Sequence, residues 1–370
     1  GSVNVDSNKA ATAPIVEVQT SDETLENGAI ATTTVTKTTV VGKTGALHVE
    51  NGDATITDTA TFTNNTAGEN GALYVGGALR VGELTLSNNE AVGGVTTETE
   101  VVERVYDEEG NLESETTTST TSETTNVGAN HGAAYVVGAI TVDGDATITS
   151  NKAFDSVGAV EAASLSVDGT LLVSENSATN DYGALKLNGA LNVTGDATFD
   201  QNTAGGMVGA LSAVNATIDG AATITNNTSG TDYGAQRLTG ALAIGGDAEI
   251  AHNKAEGSYG AIYASASISV GGTTTITENE AGQSYGAVAT EGDMTLGGSA
   301  TISNNKAGVD YGAVFANGSL SIVGDTTISG NTAGGNVGAV AAGSVSIGAE
   351  DATVLVEITG NEAGRDYGAV

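Results

Sequence analysis

Residues 250–276 read IAHNKAEGSYGAIYASASISVGGTTTI, and residues 276–302 read ITENEAGQSYGAVATEGDMTLGGSATI. Laid over one another, the two stretches place Asn253 on Asn279, Tyr259 on Tyr285, Gly260 on Gly286 and Ile276 on Ile302. Two marks therefore repeat: an apolar-x-x-Asn element and a Gly-Ala element seven residues beyond its Asn. Working outward, the first mark recurs at Asn65, Asn89, Asn151, Asn176, Asn202, Asn227, Asn253, Asn279, Asn305, Asn331 and Asn361. From Asn151 to Asn331 its spacing is 25 or 26 residues without exception. The second mark begins at Gly45, Gly71, Gly132, Gly158, Gly183, Gly209, Gly234, Gly260, Gly286, Gly312, Gly338 and Gly368.

Each unit holds three short stretches in which apolar residues alternate with Thr or Ser, the period of a half-buried strand. One follows Gly-Ala, one is Leu-x-Val in type, as at residues 191–193, 268–270 and 320–322, and one is Thr-Ile-Thr in type. Gly and Asn punctuate the corners. No helical period accompanies them, which excludes leucine-rich and ankyrin solenoids, and three strands in about 26 residues are too few for a propeller blade. A unit this short cannot bury its own apolar face, so units must stack. The expected fold is all-β, a right-handed parallel β-helix of about 12 coils. At one strand spacing per coil the rod is roughly 60 Å long. Stacking turns repeat positions into columns. The expected structural ladder is Asn151, Asn176, Asn202, Asn227, Asn253, Asn279, Asn305 and Asn331. The Ile column from Ile148 to Ile328 points inward, because a one-residue slip would turn it to solvent. Lys254, Glu280 and Lys306 become vertical neighbours of alternating charge.

Two regions break the period. Residues 1–44 read as an N-terminal cap or a degenerate first coil ahead of the β-helix at 45–370. Residues 94–129 read as an insertion, a protruding β-hairpin turning near residues 107–111.

Composition narrows function. The 370 residues carry 45 Asp and Glu against 11 Lys and Arg, a net charge of −34. That charge repels nucleic-acid phosphates and anionic lipid. No apolar run is long enough to cross a bilayer as a helix, so no membrane insertion is expected. There is no Cys, one Pro and only four Phe.

Phe62-Thr63-Asn64-Asn65, Phe199-Asp200-Gln201-Asn202 and Gly76-Gly77-Ala78-Leu79 give the repeat a further meaning. The pairing resembles the polymorphic outer membrane protein repeat, known for Phe-x-x-Asn and Gly-Gly-Ala-[Ile/Leu/Val]. Elsewhere Ile, Leu or Val replaces the Phe, and Tyr or Val usually replaces the first Gly. The resemblance spans about 45–370. It implies a β-helix passenger of autotransporter type on a bacterial surface, acting as an adhesin. The sequence stops just after Gly368-Ala369, which suggests a piece of a longer surface protein.

Chemistry is sparse. Asp145, Asp196, Asp247 and Asp325 recur at one corner, where Asp serves turns by accepting backbone N–H bonds. His48, His131 and His252 fall in different columns, so no metal site and no catalytic triad is expected. No cofactor is expected either. Tyr233, Tyr259, Tyr285 and Tyr311 occupy four successive coils, either as corner packing or as a strip suited to sugar rings. On the hairpin, Val101, Val105, Tyr106 and Leu112 are the candidate partner contacts. The expected function is a non-enzymatic extracellular rod or adhesin that binds a protein or carbohydrate on another cell. The alternatives are a filament subunit associating end to end through open coil edges and a glycan-active β-helix enzyme.

Overall fold

The third strand of each coil sets the register of the whole molecule. Ile224, Ile250, Ile276, Ile302 and Ile328 pair in parallel, one above the next. Each is buried, while the Thr, Ser or Glu beside it faces outward. A slip of one residue would expose the entire column, so the pattern admits a single register. The computed structural model describes the backbone of residues 3–6, 12–25, 28–41, 43–93, 95–106, 112–124, 128–348 and 353–369, with side chains for 3–4, 43–93, 114–117, 128–348 and 353–369.

The chain is an all-β solenoid, a parallel β-helix. Its coils are wrapped by one 28-stranded sheet. The coil that starts at Gly260 shows the plan: strands Ile262–Ala264, Ile268–Val270 and Thr274–Thr277 lie on the matching strands of the coils before and after. In several coils the first two strands run together, as in Ala134–Val142 and Val314–Ile322. Each of the eleven Asn marks closes one turn, and Gly368 begins what would be a twelfth. A single apolar column of buried Leu, Ile, Val, Ala and Phe runs through the centre.

Every turn also contains a fourth strand that periodicity does not reveal, since it is two residues long. Lys254–Ala255 pairs with Glu280–Ala281, which pairs with Lys306–Ala307, and the series forms an 11-stranded sheet of its own. Its Ala faces the interior. Lys254, Glu280 and Lys306 are therefore stacked, but only one contact is direct: Lys306 Nζ lies 2.8 Å from Glu280, whereas Lys254 turns to Glu256 at 2.8 Å. The Lys306 bond holds the Glu280 carboxyl below its ordinary range.

The Asn column explains why the coils end where they do. Asn279 Oδ1 accepts from both the backbone N–H and the side-chain Nδ2 of Asn253, at 3.0 and 2.9 Å. Asn279 Nδ2 in turn donates to Asn305 Oδ1 and to the carbonyl of Ile250. The same pattern links Asn151 through Asn331, and all eight of these side chains are fully buried. The amides thus satisfy one another and the backbone at a corner that water does not reach.

The residue before each Asn, such as Glu278 (φ 56°), adopts left-handed backbone, and from Gly183 onward so does the residue before each Gly, such as Tyr259 (φ 63°). The Gly itself does not. A Cβ on Gly260 would lie 1.9 Å from the carbonyl oxygen of Gly286, so this Gly is required by how closely coils approach, not by its dihedrals.

The insertion and the N-terminal segment share a sheet. Val95–Tyr106 and Leu112–Thr124 pair as antiparallel strands. Gly28–Val41 pairs with the other edge of Val95–Tyr106, and Thr12–Leu25 pairs with Gly28–Val41, giving four strands. Val3–Asp6 instead joins the solenoid, parallel to Ala60–Thr63. The expected turn at 107–111 lies outside the described residues.

A few inward positions break the apolar rule: Thr274, Thr290 and Thr326 are buried in line with Ala of the neighbouring coils, and Gln236 is the largest polar side chain among them. Gln236 sits in the inward column between Leu211 and Ile262, fully buried, with neither amide atom hydrogen-bonded. A buried polar group without a partner costs about 1–3 kcal/mol. Gln236→Leu should therefore raise stability by about that amount, read as a higher urea midpoint with an unchanged slope. A lower midpoint would show that the amide is satisfied in solution.

Candidate functional site

Two adjacent columns of the solenoid collect nearly all of its tyrosines. The first is the residue before each Gly, left-handed from Gly183 onward: Tyr182, Val208, Tyr233, Tyr259, Tyr285, Tyr311, Val337 and Tyr367. The second is the outward residue three positions after that Gly: His48, Tyr74, Tyr135, Glu161, Lys186, Ser212, Arg237, Tyr263, Ala289, Phe315 and Ala341. Nine of the ten Tyr lie on these two columns; the tenth is Tyr106.

The structure brings the four expected Tyr together as a stack. Ring centroids are 4.9 Å apart for Tyr233 and Tyr259, 4.7 Å for Tyr259 and Tyr285, and 5.0 Å for Tyr285 and Tyr311, with planes within 13° of parallel. One coil-to-coil rise sets that spacing. Tyr263 and Phe315 lean against the stack from the second column, each tilted against two of its rings. Burial, then the neighbouring phenols Tyr285 and Tyr233, push the Tyr259 hydroxyl well above its ordinary range; Tyr285 moves the same way for the same reasons. These hydroxyls stay neutral donors and acceptors at any physiological pH.

This geometry decides what the strip offers. Inside the stack each ring face is covered by the next ring, so Tyr259 and Tyr285 present edges and hydroxyls, not faces. A sugar that stacks flat needs an uncovered face. Uncovered faces occur only where the column is interrupted.

Toward the N-terminal end the same face becomes ionic. His131 stacks on Tyr135 at 4.6 Å, its Nδ1 lies 2.8 Å from Asn70 Oδ1, and its Nε2 lies 3.0 Å from Glu161. Glu161 also accepts from Lys186 at 2.9 Å. Burial alone would raise the Glu161 carboxyl, but hydrogen bonds from His131 and Lys186 outweigh it and hold it below its usual range. The three histidines do not converge: His48 stacks on Tyr74, and His252 pairs with Glu278. Among the described residues no group of three or more metal-ligating side chains occurs.

The corner carboxylates are engaged in architecture. Asp145, Asp196, Asp247 and Asp325 each accept a backbone N–H from the next coil, at 2.7 to 2.8 Å. For Asp145 the Thr170 N–H and hydroxyl hold the carboxyl below its ordinary range. Asp53, Asp181, Asp232, Asp293 and Asp310 do the same at other corners.

Sequence reading found the Tyr stack from its Tyr-Gly-Ala spelling. It missed the second column, whose residue types share nothing. The available signal was positional: three residues after each Gly of Gly-Ala. The other candidates, Val101, Val105, Tyr106 and Leu112, lie on the antiparallel pair, and their side chains fall outside the described residues. Among the described residues no helix is long and apolar enough to cross a membrane. Comparison with known proteins gives no match, whether with family models, curated proteins or solved structures.

Proposed function

We propose that this chain is a non-enzymatic, extracellular rod that presents its aromatic face to a protein or carbohydrate partner on another surface. This is the role of the bacterial adhesins whose repeat it resembles. The observation that carries the reading is the concentration of nine of ten Tyr on two neighbouring columns of a rod with net charge −34. Corner packing explains the column before Gly. It does not explain Tyr74, Tyr135, Tyr263 and Phe315, which stand outward on regular strand backbone where Ser212 and Ala289 serve equally well. Aromatic groups gathered on one otherwise polar surface mark an interaction site. The corner carboxylates support the non-enzymatic part, because general acid–base work needs carboxyls free to exchange protons and these are committed to backbone N–H groups.

The test is attachment of the whole chain to glycan and cell-surface panels. Tyr263→Ala combined with Phe315→Ala should lower attachment at least about tenfold, the loss of two interfacial aromatic anchors, with thermal stability nearly unchanged. Undiminished attachment in that variant, or turnover of a polysaccharide by the native chain, would overturn the reading.

A further inference from the structure

The sheet that joins the insertion to the N-terminal segment has two open edges. Its order is Leu112–Thr124, Val95–Tyr106, Gly28–Val41, Thr12–Leu25, so among the described residues its outer strands each pair on one side alone. An edge strand offers a row of unpaired N–H and C=O groups, which proteins ordinarily blunt with Pro, Lys or a covering element. The two edges differ in this respect. Thr12–Leu25 contains Pro14, and the chain has one Pro in 370 residues. Pro cannot donate to a ladder, so it interrupts further pairing. Leu112–Thr124 contains no Pro, Gly, Lys or Arg. From Thr116 to Ser122 it is five Thr and two Ser without a charge, and Thr suits an extended strand. Its described side chains are uncovered: Ser114, Glu115, Thr116 and Thr117 are all exposed. Successive strand residues point to opposite faces, so this stretch meets solvent on both.

Charge then names the partner. Leu112–Thr124 carries Glu113, Glu115 and Glu123 and no cation. On the neighbouring strand Glu98 is in register with Lys37, and Arg104 with Glu115. Glu100 and Glu103 are in register with Ser, Thr or Val alone. A second copy of a chain with net charge −34 would bring more charge of the same sign to this edge, and like charges set opposite one another destabilise a strand pair.

We infer that the open edge of Leu112–Thr124 takes an extended, cationic peptide segment of another protein as an added strand. Main-chain hydrogen bonds supply the affinity, and Lys or Arg side chains of the partner supply the selection. The site is separate from the aromatic face and does not depend on it.

The probe is a blocked nine-residue peptide alternating Thr and Lys, titrated into the whole chain by fluorescence anisotropy. One control peptide carries N-methyl groups on three adjacent central amides, which removes donors and keeps the charge. The other replaces every Lys by Glu. The parent peptide should bind at least about tenfold more tightly than the N-methyl peptide, and the Glu peptide should not bind. Binding should slow amide hydrogen exchange along Leu112–Thr124 and leave exchange in the solenoid unchanged. Successive edge residues aim their N–H groups alternately at the neighbouring strand and at solvent. One of Thr118→Pro and Ser119→Pro therefore removes an outward donor and keeps the pairing with Val95–Tyr106. That variant should lose peptide binding with the melting temperature nearly unchanged. Should both variants misfold, the exchange pattern of the parent chain still decides. Equal binding of the parent and N-methyl peptides would show mere attraction to an acidic rod and overturns the edge site. Protection along Thr12–Leu25 or the aromatic face in place of Leu112–Thr124, or undiminished binding in both Pro variants, overturns it too. A dimer of the free chain that either Pro variant abolishes would give the edge to a second copy and overturn the cationic partner.

Discussion

Asn279→Ala should cost about 2–6 kcal/mol, because it strands two buried donors of Asn253. The backbone N–H and Nδ2 of Asn253 both end on Asn279 Oδ1, and the corner is sealed from water, so nothing replaces that oxygen. The carbonyl of Ile250 also loses its Asn279 donor. Asn279→Asp should not rescue the site: it restores the acceptor but buries a carboxylate against Asn305 Oδ1 and the Ile250 carbonyl. Asn317, exposed on the strand Val314–Ile322, is the control, and Asn317→Ala should fall within about 0.5 kcal/mol of the parent. A solenoid is stabilised by nearest-neighbour interfaces. Weakening one interface should therefore split the single urea transition into two, the coils on either side of residue 279 melting apart. A loss no larger than that of Asn317→Ala would mean that the ladder contributes register without stability.

The larger effect belongs to Gly260→Ala. The new Cβ would sit 1.9 Å from Gly286 O and 2.8 Å from the backbone of Glu280. Neither neighbour is a side chain that can turn aside, so the coils themselves must separate. We expect a loss on the order of 4 kcal/mol or more, at the severe end for a point change. Gly52→Ala provides the contrast. Gly52 is left-handed (φ 100°) but has nothing within 4 Å of its Cβ position. There only the backbone preference is lost, about 1–2 kcal/mol. Equal losses in the two variants would contradict close coil approach as the reason for the Gly column.

These two columns also show why the architecture could be read without coordinates. A position that must satisfy its own copy one coil away accepts few residue types, so Asn, Gly and Ile return at fixed intervals. Positions that face solvent carry no such constraint. The second aromatic column runs from His48 through Glu161 and Ala289 to Ala341, and no shared chemistry ties it together until the strands are paired. Backbone handedness was equally hidden: Tyr, Val and Glu are poor left-handed residues, yet Tyr259, Val208 and Glu278 adopt that conformation because both neighbouring coils impose it. The two-residue strand at Lys254–Ala255 is too short to show a period. The pairing of Gly28–Val41 with Val95–Tyr106 joins segments far apart in sequence, and neither belongs to the repeat.

Equal rise per coil is the claim beneath all of this, and the absence of Cys makes it directly measurable. Thr147, Thr275, Thr301 and Thr327 stand outward in one column, with Thr275, Thr301 and Thr327 five, six and seven coils beyond Thr147. Nitroxide labels on cysteines placed pairwise at Thr147 and each of the other three should report distances of about 24, 29 and 34 Å, a step of about 4.8 Å per coil. Distances that do not grow by a constant step, or that differ widely from this series, would contradict a single stacked rod.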